Sequence, residues 1–149
     1  MPDCGLVSII MPTWGCAAYI AESIESVQAQ SYPNWELLIQ DDCSTDNTPE
    51  VVRHYMEKDP RIKYACNTQN SGAAITRNNA LRRAQGRWIA FLDSDDLWLP
   101  QKLEHQLHFM TENGFAFSYH KYEEMNDEAN PTGVRVSGPA HVTRFGMYS

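Results

Sequence analysis

Long apolar runs are missing from this chain of 149 residues. No stretch approaches the roughly 18 consecutive apolar residues that a membrane-spanning helix needs. Basic residues are scarce too: 12 Lys and Arg stand against 19 Asp and Glu, a net charge of -7. That leaves little to release counterions from a nucleic acid or to meet an anionic headgroup, so a nucleic-acid partner is not expected. A nucleotide would need a cation between itself and the acids. Cysteine is sparse and scattered, with Cys4, Cys16, Cys43 and Cys66 in no CxxC spacing. The N-terminus lacks the basic and apolar regions of a secretory signal, and the expected setting is a reducing cytoplasm. Glycine-rich phosphate loops are absent as well. Neither GxGxxG nor GxxxxGK[ST] occurs, which removes dinucleotide-binding and Walker chemistry.

What is present is an alternation of short apolar runs and helical periodicities. Leu6 to Met11 reads as a buried strand stopped by Pro12, and Ile20, Ile24 and Val27 then recur at helical spacing between Tyr19 and Gln30. Trp35 to Gln40 repeats the strand signal and ends in Asp41-Asp42. Ser44 to Pro49 supplies turn and cap residues, with Asp46 and Ser44 as the formers, ahead of a helix carrying Val51, Val52, Tyr55 and Met56. A weaker third unit runs from Ile62-Lys63-Tyr64-Ala65 through Asn70-Ser71-Gly72 to a helix bearing Ile75, Ala80, Leu81 and Ala84. Arg87 to Leu92 is the fourth strand, with Trp88-Ile89-Ala90-Phe91-Leu92 read as buried. Pro100 opens a helix with Leu103, Leu107 and Met110, and Phe115 to Tyr122 reads as a further strand. Asn126 to Gly133 is a turn before a short Val134-Arg135-Val136 strand, and the last dozen residues give no signal.

Short connections between alternating strands and helices imply an α/β fold with a mainly parallel sheet covered on both faces. Ligands of such sheets sit beyond the carboxyl ends of the strands. Pro12-Thr13, Asp41-Asp42 and Asp93-Ser94-Asp95-Asp96 all fall at those ends, so three sequence-distant groups should converge on one rim. Carboxylates this close repel, and a divalent cation that keeps positions open for water and phosphate oxygens relieves them. Alternatively, Asp96 is a helix N-cap in a solvated turn. A phosphoacceptor receiver domain would place its acidic pair after the first strand with a Lys after the fifth. An aspartyl phosphatase would carry Asp-x-Asp near the first strand. Neither spacing occurs.

Read together, several segments resemble the inverting glycosyltransferase family 2 with the GT-A fold, in the form found in bacterial surface-polysaccharide enzymes. They are Val7-Ser8-Ile9-Ile10-Met11-Pro12-Thr13, the stretch from Ser26 to Ile39, Asp41-Asp42-Cys43-Ser44-Thr45-Asp46-Asn47-Thr48, Asn70-Ser71-Gly72, and Gly86 to Asp96. The resemblance implies a Rossmann-like GT-A sheet and transfer of a sugar from a nucleoside diphosphate donor, a UDP-sugar, to a glycan or lipid-linked acceptor with inversion. It implies that Pro12 and Thr13 pack near base and ribose, and that Asp42 accepts a hydrogen bond from the base. It also implies Asp95 as the direct ligand of Mg or Mn, with Asp93 on the ribose or reaching the metal through water. Arg77 either assists at the diphosphate or is a solvated helix residue or partner of the acidic rim. Asp41 is read as exposed beside Asp42. Trp14, Trp88 and Trp98 either stack on a ligand or pack. His105 and His108, three apart, lack a third ligand, and His120 is unplaced.

The resemblance also carries departures. An inverting transfer needs a general base, which relatives carry well downstream of the DxD; Glu123, Glu124, Asp127 and Glu128 lie in or beside a surface turn, and no catalytic base is assigned. Trp14-Gly15 stands where the family favours an aromatic followed by Asn. The chain is therefore read as one domain over residues 1–149, with a core of about 5–125 and a poorly defined tail from 126. It is the donor-binding half of a GT-A unit whose C-terminal part is incomplete. It is expected in the cytoplasm or at the inner face of the membrane, peripherally associated through partners. The alternative is a non-catalytic nucleotide-sugar-binding module, or a subunit completed by homo-oligomerisation, which would cover apolar sheet surface.

Overall fold

The computed structural model describes residues 3–137. Four strands alternate with helices: β1 (Val7–Thr13), α1 (Ile20–Gln28), β2 (Trp35–Asp41), α2 (Thr48–Met56), β3 (Ile62–Cys66), α3 (Ala73–Leu81), β4 (Trp88–Phe91) and α4 (Lys102–Asn113). A two-stranded antiparallel ribbon follows, β5 (Tyr122–Met125) with β6 (Pro131–Val136). The main sheet has the order β3-β2-β1-β4, and every pairing in it is parallel. This is the α/β arrangement expected, a parallel sheet with helices on both faces.

Strand pleat explains the two cores. Val7, Ile9 and Met11 of β1 and Trp35, Leu37 and Ile39 of β2 point to one face, where they meet Ile20, Ile24 and Val27 of α1, Val52 of α2, and Leu103 and Leu107 of α4. Each of these fully buried side chains removes enough apolar area from water to contribute about 1.5–3 kcal/mol. The alternate residues face α3 through a smaller cluster of Ile10, Leu38 and Ala80. Polar groups fill the rest of that side. Ser8 Oγ donates to Glu36 Oε1 at 2.6 Å, and Lys63 Nζ to Glu36 Oε2 at 2.7 Å.

Several expectations need correction. β1 does not stop at Pro12 but runs through it to Thr13. Ile10 O accepts from Leu92 N, so even-numbered residues of β1 present their backbone to β4, and the β1–β4 ladder ends at Ile10. The missing N–H of Pro12 therefore faces a side where no ladder bond was to be made. β4 is half-exposed rather than buried: Ile89 and Phe91, on the α3 side, are 43% and 54% exposed because this is the edge strand and α3 covers β1 and β2. Phe115 to Tyr122 is not a strand. Its alternating aromatics have the period of one, yet the backbone finds no ladder among the described residues, and pairing begins only at Tyr122. Ile75 is exposed, and Thr76 with Ala80 forms the buried side of α3. Pro100 lies just ahead of α4, whose N-cap is Gln101, so Asp96 caps nothing; its N–H closes a turn onto Asp93 O. Of the expected tail, residues 138–149 lie outside the described residues.

Candidate functional site

The carboxyl ends of β1, β2 and β4 and the entrance to α3 enclose a cleft of about 580 Å³. Pro12, Thr13, Asp42, Arg77, Asp93 and Asp95 all line it, joined by Trp14, Asn70, Gly72, Ala73, Thr76 and Ser94. The parallel sheet accounts for this convergence. Because all four strands run the same way, every strand ends on one rim, and the short loops there cannot carry their side chains far.

Asp42 sits at the floor of this rim, 4% exposed. Its Oδ1 accepts from Asn67 Nδ2 at 2.8 Å and from Ser71 N at 2.7 Å, and its Oδ2 accepts from Gly72 N at 2.8 Å. Burial by itself would raise the Asp42 pKa, but these donors outweigh it and hold the carboxyl below its ordinary value. Asp42 is thus a fixed anion whose acceptor capacity is nearly filled, with room left on Oδ2. Its neighbour Asp41 departs from expectation. Asp41 is fully buried, accepting from Tyr64 Oη at 2.7 Å and from the Ser44 amide and hydroxyl at 2.8 and 2.7 Å. A carboxylate can be buried there because every lone pair facing inward has a donor.

Two loops are stitched across the same rim. Gly15 N donates to Ser44 Oγ at 2.9 Å and Ala17 N to Asp46 Oδ2 at 3.0 Å, while Asp46 Oδ1 takes the Thr48 amide and hydroxyl. Ser44 and Asp46 are therefore the turn formers expected of them, although the N-cap of α2 is Asn47 and has no side-chain cap bond, and they also anchor the segment carrying Trp14. Trp14 is 60% exposed at the cleft wall. Trp88 instead donates from Nε1 to Cys4 O, and Trp98 is buried beneath the Lys102 ammonium, so both pack. Gly15 adopts φ +62, a left-handed turn that suits glycine.

On the opposite wall Arg77 Nη2 donates to Asp93 Oδ1 at 2.7 Å, both side chains partly exposed. Arg77 is thus a partner of the acidic rim and a lining residue of the cleft at once. The Asp96 carboxyl is pushed up, first by desolvation and then by the charges of Asp95 and Asp93, with His120 opposing. Thr13 Oγ1 is buried at the cleft with no partner among the described residues. Among the described residues no group of three or more His, Cys, Asp and Glu is arranged to hold a metal, and His108 pairs with Glu112 at 3.2 Å on the surface of α4. Sequence reasoning passed over Asn67 and Thr76, whose polar side chains in unremarkable positions gave no signal before the fold brought them to Asp42.

Comparison with known proteins places this geometry. The family model described as glycosyl transferase family 2 matches residues 8–144. The chain is 49% identical over 124 residues to the Escherichia coli UDP-Glc:alpha-D-GlcNAc-diphosphoundecaprenol beta-1,3-glucosyltransferase WfgD, covering 83% of this chain and 48% of that protein. It is 46% identical over 138 residues to TuaG of Bacillus subtilis, a glycosyltransferase assigned to teichuronic acid biosynthesis, covering 93% of this chain and 55% of the relative. The chain spans about half the length of these curated relatives. Among solved structures, S. aureus TarS 1-349 in complex with UDP-GlcNAc superposes with a TM-score of 0.69 at 35% identity, covering 72% of this chain and 32% of that one. The mannosyltransferase PcManGT from Pyrobaculum calidifontis, in complex with GDP-Man and Mn2+, gives a TM-score of 0.59 at 35% identity, over 62% of this chain and 28% of that one.

Proposed function

The chain belongs to glycosyl transferase family 2, and we propose that its rim cleft binds a UDP-sugar for inverting transfer to a glycan or lipid-linked acceptor in cell-surface polysaccharide synthesis. The observation that carries this reading is that Asp42, Arg77, Asp93 and Asp95, from two strand ends and one helix, line a single cleft large enough for a nucleotide sugar. Names of similar proteins support it: TarS has been solved with UDP and with UDP-GlcNAc, and WfgD is a UDP-Glc-dependent glucosyltransferase. We propose that the reaction runs in the cytoplasm or at the inner face of the membrane, with the chain associated peripherally through partners, a reading that the surface polymers named for its relatives support. We assign residues 1–149 to a single donor-binding unit.

Each residue then has a task. Pro12 and Thr13 form the wall beside base and ribose, where the Thr13 hydroxyl, without a partner among the described residues, offers a hydrogen bond. Asp42, held ionised, accepts from the ring N–H of the base through its remaining lone pair. Arg77 turns from Asp93 toward the diphosphate, which exchanges one anionic partner for another. Asp95 and Asp93 fit a hard divalent cation: two oxygen-donor side chains on one turn, with no group of three or more His, Cys, Asp and Glu arranged around a metal among the described residues, leave coordination positions for phosphate oxygens and water. Mg or Mn bound there would act as the Lewis acid that neutralises the diphosphate leaving group.

Calorimetric titration of UDP into the chain, with Mn and then with chelator, tests the reading. Metal-dependent binding that is lost in Asp95→Ala, with the circular dichroism spectrum unchanged, is the expected result. Metal-dependent affinity that survives Asp95→Ala would remove the metal assignment.

A further inference from the structure

Asn67, the residue after β3, does not line the cleft, yet every hydrogen-bonding position of its side chain is filled. Its Nδ2 donates to Asp42 Oδ1 at 2.8 Å and to Thr76 Oγ1 at 2.9 Å, and its Oδ1 accepts from Gln40 Nε2 at 2.9 Å and Asn79 Nδ2 at 2.8 Å. By shape alone such an amide fits either way round; the chemistry of its neighbours decides. On one side stand acceptors. Ionised Asp42 can only accept, and the Thr76 hydroxyl has committed its hydrogen to Gly72 O at 2.8 Å. On the other side are two amides that are ambiguous in themselves, each fixed by an arginine, which only donates. Arg83 Nη1 donates to Gln40 Oε1 at 2.9 Å, and Arg82 Nη1 to Asn79 Oδ1 at 2.7 Å. Every donor therefore runs one way, from two adjacent arginines at the end of α3, through two amides, into Asn67 and out to the carboxylate.

We propose that this branched relay holds Asp42 as an oriented, acceptor-only group, which makes Asn67 a positioning residue for nucleobase recognition, with Gln40, Asn79, Arg82 and Arg83 setting its polarity. The inference rests on the reading of Asp42 as acceptor of the base. A carboxylate so fixed favours bases with a ring N–H, such as uracil, over cytosine, whose N3 is itself an acceptor. The relay lies outside the cleft, so it sets selectivity without touching the ligand.

Reversing the relay tests it. In Gln40→Glu with Asn79→Asp, each new carboxylate keeps its own arginine as partner, so no charge is left unpaired, but both now present acceptors to Asn67. The Asn67 amide turns over and its oxygen meets Asp42. UDP affinity is expected to fall about tenfold, and the preference for UDP over CDP to narrow. Gln40→Met with Asn79→Leu removes both donors without reversing them, leaves Nδ2 facing Asp42, and should weaken UDP by no more than about threefold. A merely structural role gives the opposite order, with removal at least as harmful as reversal. A second measurement needs no nucleotide: the nuclear Overhauser contact between the Asn67 side-chain amide protons and Thr76 should persist in the wild type and in the Met/Leu variant and vanish in the Glu/Asp variant. Equal UDP losses in the two variants, or a contact that survives reversal, would overturn the relay alone. A wild-type chain that binds no UDP would overturn the base reading, and with it the recognition role.

Discussion

Gly86, just ahead of β4, has no room for a side chain. A Cβ built there would lie 2.6 Å from Ser8 N, 2.7 Å from Leu6 O and 2.7 Å from Ser8 Oγ. The first two are backbone atoms of β1 and its lead-in, which cannot swing aside. In Gly86→Ala the entry to β4 must therefore move away from β1 by roughly half an ångström or more, and that strain costs about 1–3 kcal/mol. The move also pulls the Gly86 amide off Ser8 Oγ, a bond of 2.8 Å, and weakens the Gln85 amide contact to Glu36 Oε1 at 2.9 Å. Each hydrogen bond lost adds about 1 kcal/mol. Together these give about 3 kcal/mol, or a fall of about 10 °C in Tm for a unit of this size. Urea denaturation followed by circular dichroism measures the first figure and a thermal scan the second. Since β4 delivers Asp93 and Asp95, metal-dependent UDP affinity should weaken alongside. A variant within about 0.5 kcal/mol of the wild type would refute the reasoning, because it would mean that the β1–β4 contact yields without loss.

Three further outcomes are expected. Arg77→Gln should lower UDP affinity about five- to tenfold while leaving uridine affinity unchanged, as one charge-assisted contact to the diphosphate predicts; equal losses for both ligands in calorimetry would place Arg77 elsewhere. The guanidinium of Arg61 holds the Asp59 carboxyl down to about 2 against the opposing effect of burial, with Gln28 assisting. The folded pKa lies below the unfolded value, so this stability is present above the ordinary value of 3.8 and is lost as pH falls toward 2. Asp59→Asn should cost about 1–2 kcal/mol at pH 7 and flatten that acid limb in pH-dependent urea melts. Burial pulls the Lys102 ammonium down to about 8, so the unfolded chain binds more protons between that pH and 10.5 and stability rises through the window. Lys102→Met should therefore be the more stable chain at pH 7 by about 1 kcal/mol, with the advantage gone by pH 10.5; loss of the Trp98 cation–π contact bounds the gain.

Much of the architecture was legible because parallel strands bury both faces and so read as continuous apolar runs. Val7 to Met11 and Trp35 to Ile39 are of this kind, and their carboxyl ends announced the rim. Legibility failed where pattern and neighbours part company. Phe115, Phe117 and Tyr119 alternate as a strand should, yet a strand exists only where another lends it an edge. Tyr122-Glu123-Glu124-Met125 does pair, although its acids hid it. Ile89 and Phe91 are apolar and exposed because order within a sheet, which composition does not encode, put β4 at the edge. At the site, acids adjacent in sequence have opposite fates. Asp41 turns inward to Tyr64 and Ser44 while Asp42 faces the cleft, a difference set by strand pleat and by donors that arrive from other loops.

The capture of the Ser71 and Gly72 amides by Asp42 has a consequence for how the cleft divides its work. Backbone amides at the entrance to a helix commonly receive phosphate. Here those two are already turned onto a carboxylate, so on the proposed reading the phosphate end of a UDP-sugar finds its countercharge in Arg77 and a cation held by Asp93 and Asp95. On that reading one end of the cleft recognises through short-range hydrogen bonds and the other through mobile charge. Added salt should therefore erode the grip on UDP through the diphosphate alone, leaving the contribution of the base nearly constant from low to high ionic strength.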